Sequence, residues 1–105
     1  MENQTMIETC LECFRACHNC AAECTKMAND DHLRCISLCN DCSEICLECI
    51  KFEQRGSEFS EQIMKLCADI CNACADECEK FSDEHDHCRE CAEACRRCAE
   101  ACMAY

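Results

Sequence analysis

Nineteen of the 105 residues are cysteine, and all of them follow one alternating step of three and four residues within four separate runs. Cys10, Cys13, Cys17, Cys20 and Cys24 form the first run, and Cys35, Cys39, Cys42, Cys46 and Cys49 the second. Cys67, Cys71, Cys74 and Cys78 form the third, and Cys88, Cys91, Cys95, Cys98 and Cys102 the fourth. A mean step of ~3.5 puts every one at an a or d position of a heptad, the positions that face the inside of a helical bundle. Thiolates gathered in such numbers are soft ligands, suited to Cu(I), Zn(II) or iron–sulfur clusters.

Spacing separates these metals. Residues four apart on a helix have Cβ atoms ~5 to 6 Å apart. Cys13/Cys17, Cys20/Cys24, Cys35/Cys39, Cys42/Cys46, Cys67/Cys71, Cys74/Cys78, Cys91/Cys95 and Cys98/Cys102 therefore each offer two sulfurs to one ion. Two sulfurs suffice for Cu(I), which accepts two or three thiolates. Zinc needs a tetrahedron, commonly built from knuckles or turns, and reaches one here only through layers that cross between helices, with room for about four such sites. The ferredoxin run C-x₂-C-x₂-C-x₃-C-P is absent, as the chain contains no Pro. Sulfurs shared between ions would hold on the order of one Cu(I) per cysteine, a capacity that belongs to storage.

Three other readings of the seam fit less well. Cysteine can serve as a small buried hydrophobe, but Leu and Ile bury more area at ~25 cal/mol per Å², so a cysteine seam gives up packing for sulfur. A thiol–disulfide oxidoreductase normally sets CxxC at a helix start, where the dipole lowers a thiol pKa, whereas these cysteines lie mid-helix. A protein stapled by disulfides fits poorly with an odd cysteine count.

The elements that carry the seam follow from punctuation. With one Gly and no Pro, long helices joined by brief polar breaks are expected. Thr5-x-x-Glu8 has the capping-box pattern, Asn29-Asp30-Asp31 and Ser82-Asp83 offer N-caps, and Gly56-Ser57 suits a C′ followed by an N-cap. Helices are predicted near 5–28, 32–54, 58–81 and 84–104, and their short connections force an antiparallel up-down-up-down four-helix bundle. The expectation is an all-α fold with a cysteine-lined core, one domain over residues 1–105. Ile7, Phe14, Leu38, Ile45, Phe52, Ile63 and Ile70 flank the seam and widen each stripe for helix packing.

Composition narrows the partners. Leu, Ile and Phe number 15 and Val is absent, which at a net charge of -12 would signal disorder unless cysteines make the core. The acidic balance excludes nucleic acid as a partner. No apolar run spans a membrane, and MENQTMIETC carries neither a basic n-region nor an apolar h-region, so the expected location is the reducing cytosol.

The stretches Cys67-Ala-Asp-Ile-Cys-Asn-Ala-Cys-Ala-Asp-Glu-Cys78 and His85-Asp-His-Cys-Arg-Glu-Cys-Ala-Glu-Ala-Cys-Arg-Arg-Cys98 closely resemble the bacterial cysteine-rich copper storage proteins, and the likeness covers nearly the whole chain. The resemblance implies a cytosolic protein that binds many Cu(I) ions along a four-helix bundle, commonly as a homotetramer, without enzymatic turnover. It also implies that metal enters at the end bearing His85 and His87. Up-down topology gathers Met27, His32, Phe81, His85 and His87 at that end. They stand either as transient ligands passing Cu(I) inward or as ordinary histidines near caps, with Met27 as a plug. Met6, Met64 and Tyr105 are expected to close the other end, His18 to be solvated, and Leu11 and Leu47 to hint at self-association.

Overall fold

The protein is described as a computed structural model covering residues 2–105, with side chains for 4–105; Met1 lies outside the described residues. Its elements are α1 (Glu2–Met27), a 3₁₀ turn (Asp30–His32), α2 (Leu33–Gln54), α3 (Ser60–Glu79) and α4 (Asp86–Met103). The expected all-α bundle forms. It measures 41 × 18 × 17 Å, and its long axis matches the ~39 Å that the 26 residues of α1 span at ~1.5 Å each. Each helix packs against two neighbours, α1 and α3 both lying beside α2 and α4. The pairs α1/α3 and α2/α4 therefore face each other across diagonals.

The helix ends show where local chemistry departed from the sequence reading. Thr5 and Glu8 do not cap: α1 already begins at Glu2, and Gln4 Nε2 donates to Glu8 Oε2 at 3.3 Å inside the helix. Nothing before Thr5 breaks the helix, so the pattern falls within it. Asn29 does cap, its side chain accepting from the Asp31 amide, but it starts the 3₁₀ turn that precedes α2. Ser57 accepts from the Phe59 amide at 3.0 Å, and regular helix begins only at Ser60. Ser82 turns back to the Glu79 carbonyl at 3.1 Å, which leaves His85, in extended conformation, as the N-cap of α4.

Two helices end on left-handed residues. Gly56, at φ 64°, ends α2, and the Ser57 amide reaches back to the Phe52 carbonyl at 3.0 Å, as in a Schellman closure. Ala28 performs the same reversal after α1 at φ 52°, where its Cβ crowds the backbone.

Around the seam pack Ile7, Phe14, Leu38, Ile45, Ile63 and Ile70, as expected, together with Ile36 and Ile50. Phe52 departs from the expectation, lying 4.5 Å beneath the Arg55 guanidinium instead of against the core. Charged pairs tie adjacent helices from outside: Arg96 of α4 to Asp76 and Glu79 of α3, Arg97 of α4 to Glu12 of α1, and Arg34 of α2 to Glu77 of α3.

Replacing Ala28 by Gly should remove the left-handed strain and stabilise the apo protein by about 1 kcal/mol. Thermal unfolding checks this, and an unchanged or lower melting temperature would contradict it.

Candidate metal centre

All 19 cysteines are buried and free. The heptad step turns each helix so that its thiols project into one central column, and the sulfurs meet there. Within helices, Cys13–Cys17 and Cys20–Cys24 stand 3.9 Å apart, Cys67–Cys71 3.8 Å and Cys91–Cys95 4.0 Å. Cys35/Cys39 and Cys42/Cys46 fall within 4.8 Å as members of larger groups. Cys74/Cys78 and Cys98/Cys102 occupy the same buried stripes one turn apart.

Approaches between helices are as close. Neighbouring helices bring Cys42–Cys71 to 3.4 Å, and Cys17–Cys95 and Cys35–Cys78 to 3.5 Å. Sulfurs also touch across the diagonals, Cys39–Cys91 at 3.7 Å and Cys42–Cys95 and Cys46–Cys98 at 3.8 Å. Intrahelical spacing alone does not disclose these contacts. They arise because the side chains between helices are short, with Ala21, Ala68, Ala75, Ala92 and Ala99 buried beside the cysteines.

The result is a set of four-sulfur groups, each within 4.8 Å. Cys20, Cys24, Cys35 and Cys88 form one; Cys20, Cys35, Cys39 and Cys78 another. Deeper in are Cys17/Cys74/Cys91/Cys95, Cys13/Cys17/Cys42/Cys95 and Cys13/Cys42/Cys46/Cys71. These groups overlap: Cys13, Cys17, Cys20, Cys35, Cys42 and Cys95 each serve two of them. The sulfurs are thus packed closely enough for one thiolate to bridge two low-coordinate ions.

At the end where α1 and α3 finish, three histidines converge. His32 is only 2% exposed, and its Nδ1 lies 3.7 Å from Cys24 Sγ. His87 Nε2 reaches the same sulfur at 3.5 Å. His85 stacks 5.3 Å from His87 and stands edge-on 5.5 Å from His32, while Phe81 covers His32 at 4.1 Å. The topology thus brings together the predicted His32, His85 and His87 around the outermost thiol of α1. Met27 is half-buried at the end of the same helix. His18 is exposed, as expected, and stacks on Phe14.

Glu77, one residue before Cys78, is a buried acid that the heptad pattern does not single out. It is 4% exposed, held by Arg34 Nη1 and Lys80 Nζ, both at 2.9 Å. Burial works to raise its pKa, but the Lys80 and Arg34 hydrogen bonds outweigh that and keep it below the usual carboxylate value. The available signal was Lys80 at i+3.

At the opposite end Met64 and Met6 are buried, and Cys10 Sγ donates to Met6 Sδ at 3.5 Å. Tyr105 does not join this closure. Its ring is 46% exposed and its hydroxyl donates to Glu53.

Comparison with known proteins places this geometry. The family model described as copper storage protein matches residues 1–105. The Cu(I)-bound copper storage protein BsCsp3 of Bacillus subtilis superposes with a TM-score of 0.93 at 42% identity, covering 99% of this chain and 97% of that one. A structure described as a cytosolic copper storage protein from Streptomyces lividans with five coppers gives 0.87 at 36% identity, over 94% and 87% of the two chains. The uncharacterized cysteine-rich protein YhjQ of Bacillus subtilis is 44% identical over 65 residues, 61% of this chain and 60% of that protein.

Burial pushes the Cys24 and Cys88 thiols above their ordinary 9.0, and negative charge at Cys20 and Cys35 would add to the shift. A thiol whose pKa is raised by folding contributes stability below its unfolded value, and loses it as pH rises through the folded value. The apo protein is therefore expected to keep its melting temperature from about pH 7 to 8 and to lose it steadily above about pH 9. A melting temperature still unchanged near pH 10.5 would contradict this account of the thiols.

Proposed function

The chain belongs to the copper storage protein family, and we propose that it holds Cu(I) on its 19 core thiolates as a buffer or reserve, without catalysis. The observation that carries this reading is the overlap of the four-sulfur groups. Where one sulfur bridges two ions, capacity approaches one ion per cysteine; disjoint tetrads would allow four at most from 19 ligands. The relatives described as Cu(I)-bound and as carrying five coppers support the choice of cargo.

In this reading His32, His85 and His87 receive Cu(I) beside Cys24. The softer sulfur then draws the ion inward to Cys20, 3.9 Å away. From there the group Cys20/Cys35/Cys39/Cys78, within 4.8 Å, leads onward, and steps of 3.5 to 4.0 Å continue through sulfurs of all four helices, each ion exchanging one thiolate for the next without change of oxidation state. Each thiol gives up a proton as its bond to copper forms, so loading acidifies the medium and cross-links the helices.

The reducing environment that free thiols need supports a cytosolic location, as does the relative described as cytosolic. No described helix is long and apolar enough to cross a membrane. Self-association into the expected homotetramer draws support from Leu11, Leu33 and Leu66, which are 44%, 61% and 50% exposed; light scattering should then return four times the chain mass.

Anaerobic Cu(I) titration of the reduced protein against a chelator tests the proposal. Saturation above about ten ions is expected, and saturation near four would overturn it in favour of zinc-like sites. Replacing His85 and His87 together by Ala should slow loading about tenfold, equivalent to ~1.4 kcal/mol on the barrier, while capacity stays the same. A matching fall in capacity would remove the histidines from the entry role.

A further inference from the structure

The end of the bundle away from the histidines carries a cavity of about 330 Å³, lined by Glu61, Lys65, Asp69, Cys102, Met103 and Tyr105. Its volume lies at the small end of the range for ligand pockets. Cys102 is 2% exposed, whereas the other 18 cysteines are at 0%. It nonetheless continues the buried cysteine stripe of α4, one turn beyond Cys98. Cys102 therefore lines a solvent-accessible hollow here, whereas at the histidine end Cys24 and Cys88 are fully covered.

The remaining lining is charged in an ordered way. Glu61, Lys65 and Asp69 follow one another at four-residue intervals on α3, so they stack along one face as minus, plus, minus. Among the described residues none of the three joins an ion pair. A cation flanked by two anions beside a thiol complements a small molecule that carries a carboxylate, an ammonium and a sulfur of its own.

We propose that this cavity is a withdrawal port, in which a low-molecular-weight zwitterionic thiol of amino-acid type takes Cu(I) from Cys102. Lys65 binds the carboxylate of the incoming thiol, and Glu61 or Asp69 its ammonium. The ligand sulfur forms a bond to copper as the bond from copper to Cys102 Sγ breaks. The proton lost by the incoming thiol passes to the departing Cys102 thiolate; a second incoming thiol displaces the remaining core thiolate in the same way, and copper leaves as a two-coordinate Cu(I) thiolate complex. The inference rests on the reading that Cys102 carries Cu(I), and it gives the bundle separate ends for loading and unloading.

The test uses fully loaded protein under anaerobic conditions, challenged with excess free cysteine or with uncharged 2-mercaptoethanol, the copper left on the protein being counted over time. In Lys65→Glu, release to cysteine should slow about two- to fivefold, the effect of one exposed ion pair, and release to 2-mercaptoethanol should not. In Asp69→Trp, which fills the cavity, release to both thiols should slow. Loading capacity should be unaltered in both variants. Unchanged release rates in both variants at full capacity would overturn the port and leave storage standing. A parent protein saturating near four ions would overturn the storage reading, and the port with it.

Discussion

Sulfur atoms that meet across the diagonals of the bundle set its width, and the rest of the structure answers to that distance. Opposite helices meet through contacts such as Cys39–Cys91 at 3.7 Å and Cys46–Cys98 at 3.8 Å. A Leu at any of these positions would place two further branches in the column and push the opposing helix away. Alanines at the seams between neighbouring helices have the same effect from the side, allowing close approach. Small residues thus act together: they narrow the core until a sulfur has ligand partners on its own helix, on its neighbours and across the middle.

Such a core holds a polypeptide together weakly. Apolar burial scales with area, at ~25 cal/mol per Å², and thiols contribute little of it. Compensation comes from the Ile and Phe residues that flank the seam and from methionines at the end away from the histidines. Ion pairs such as Arg96 with Asp76 and Glu79 lie in solvent and add at most ~1 kcal/mol each. The arrangement suits a protein whose cargo completes the core, because each copper bridging two helices replaces weak sulfur contacts with coordinate bonds.

Much of this was legible from spacing alone. An unbroken step of three and four fixes which residues face inward, and with the up-down topology it placed Met6 and Met64 at one end and His32, His85 and His87 at the other. Contacts between helices were not legible, because a heptad gives the facing stripe but neither the stagger of one helix against the next nor the diagonal gap. Cap chemistry misled where several polar residues competed, as when Ser82 closed α3 and left His85 to begin α4. Glu77 was hidden for a related reason: an acid on the rim of a stripe becomes buried only when Arg34 of another helix folds over it. The cavity beside Cys102 depends on how the end of α4 meets the start of α3, which no local pattern encodes.

The central claim is that sulfurs are shared between ions along the column. X-ray absorption at the copper edge of the fully loaded, reduced protein tests it most directly. Sulfur-only first shells of two to three ligands are expected for most of the copper, with a clear metal–metal contribution from ions bridged by a common thiolate. Four-sulfur shells without metal neighbours would mean separate tetrahedral sites and would contradict the account.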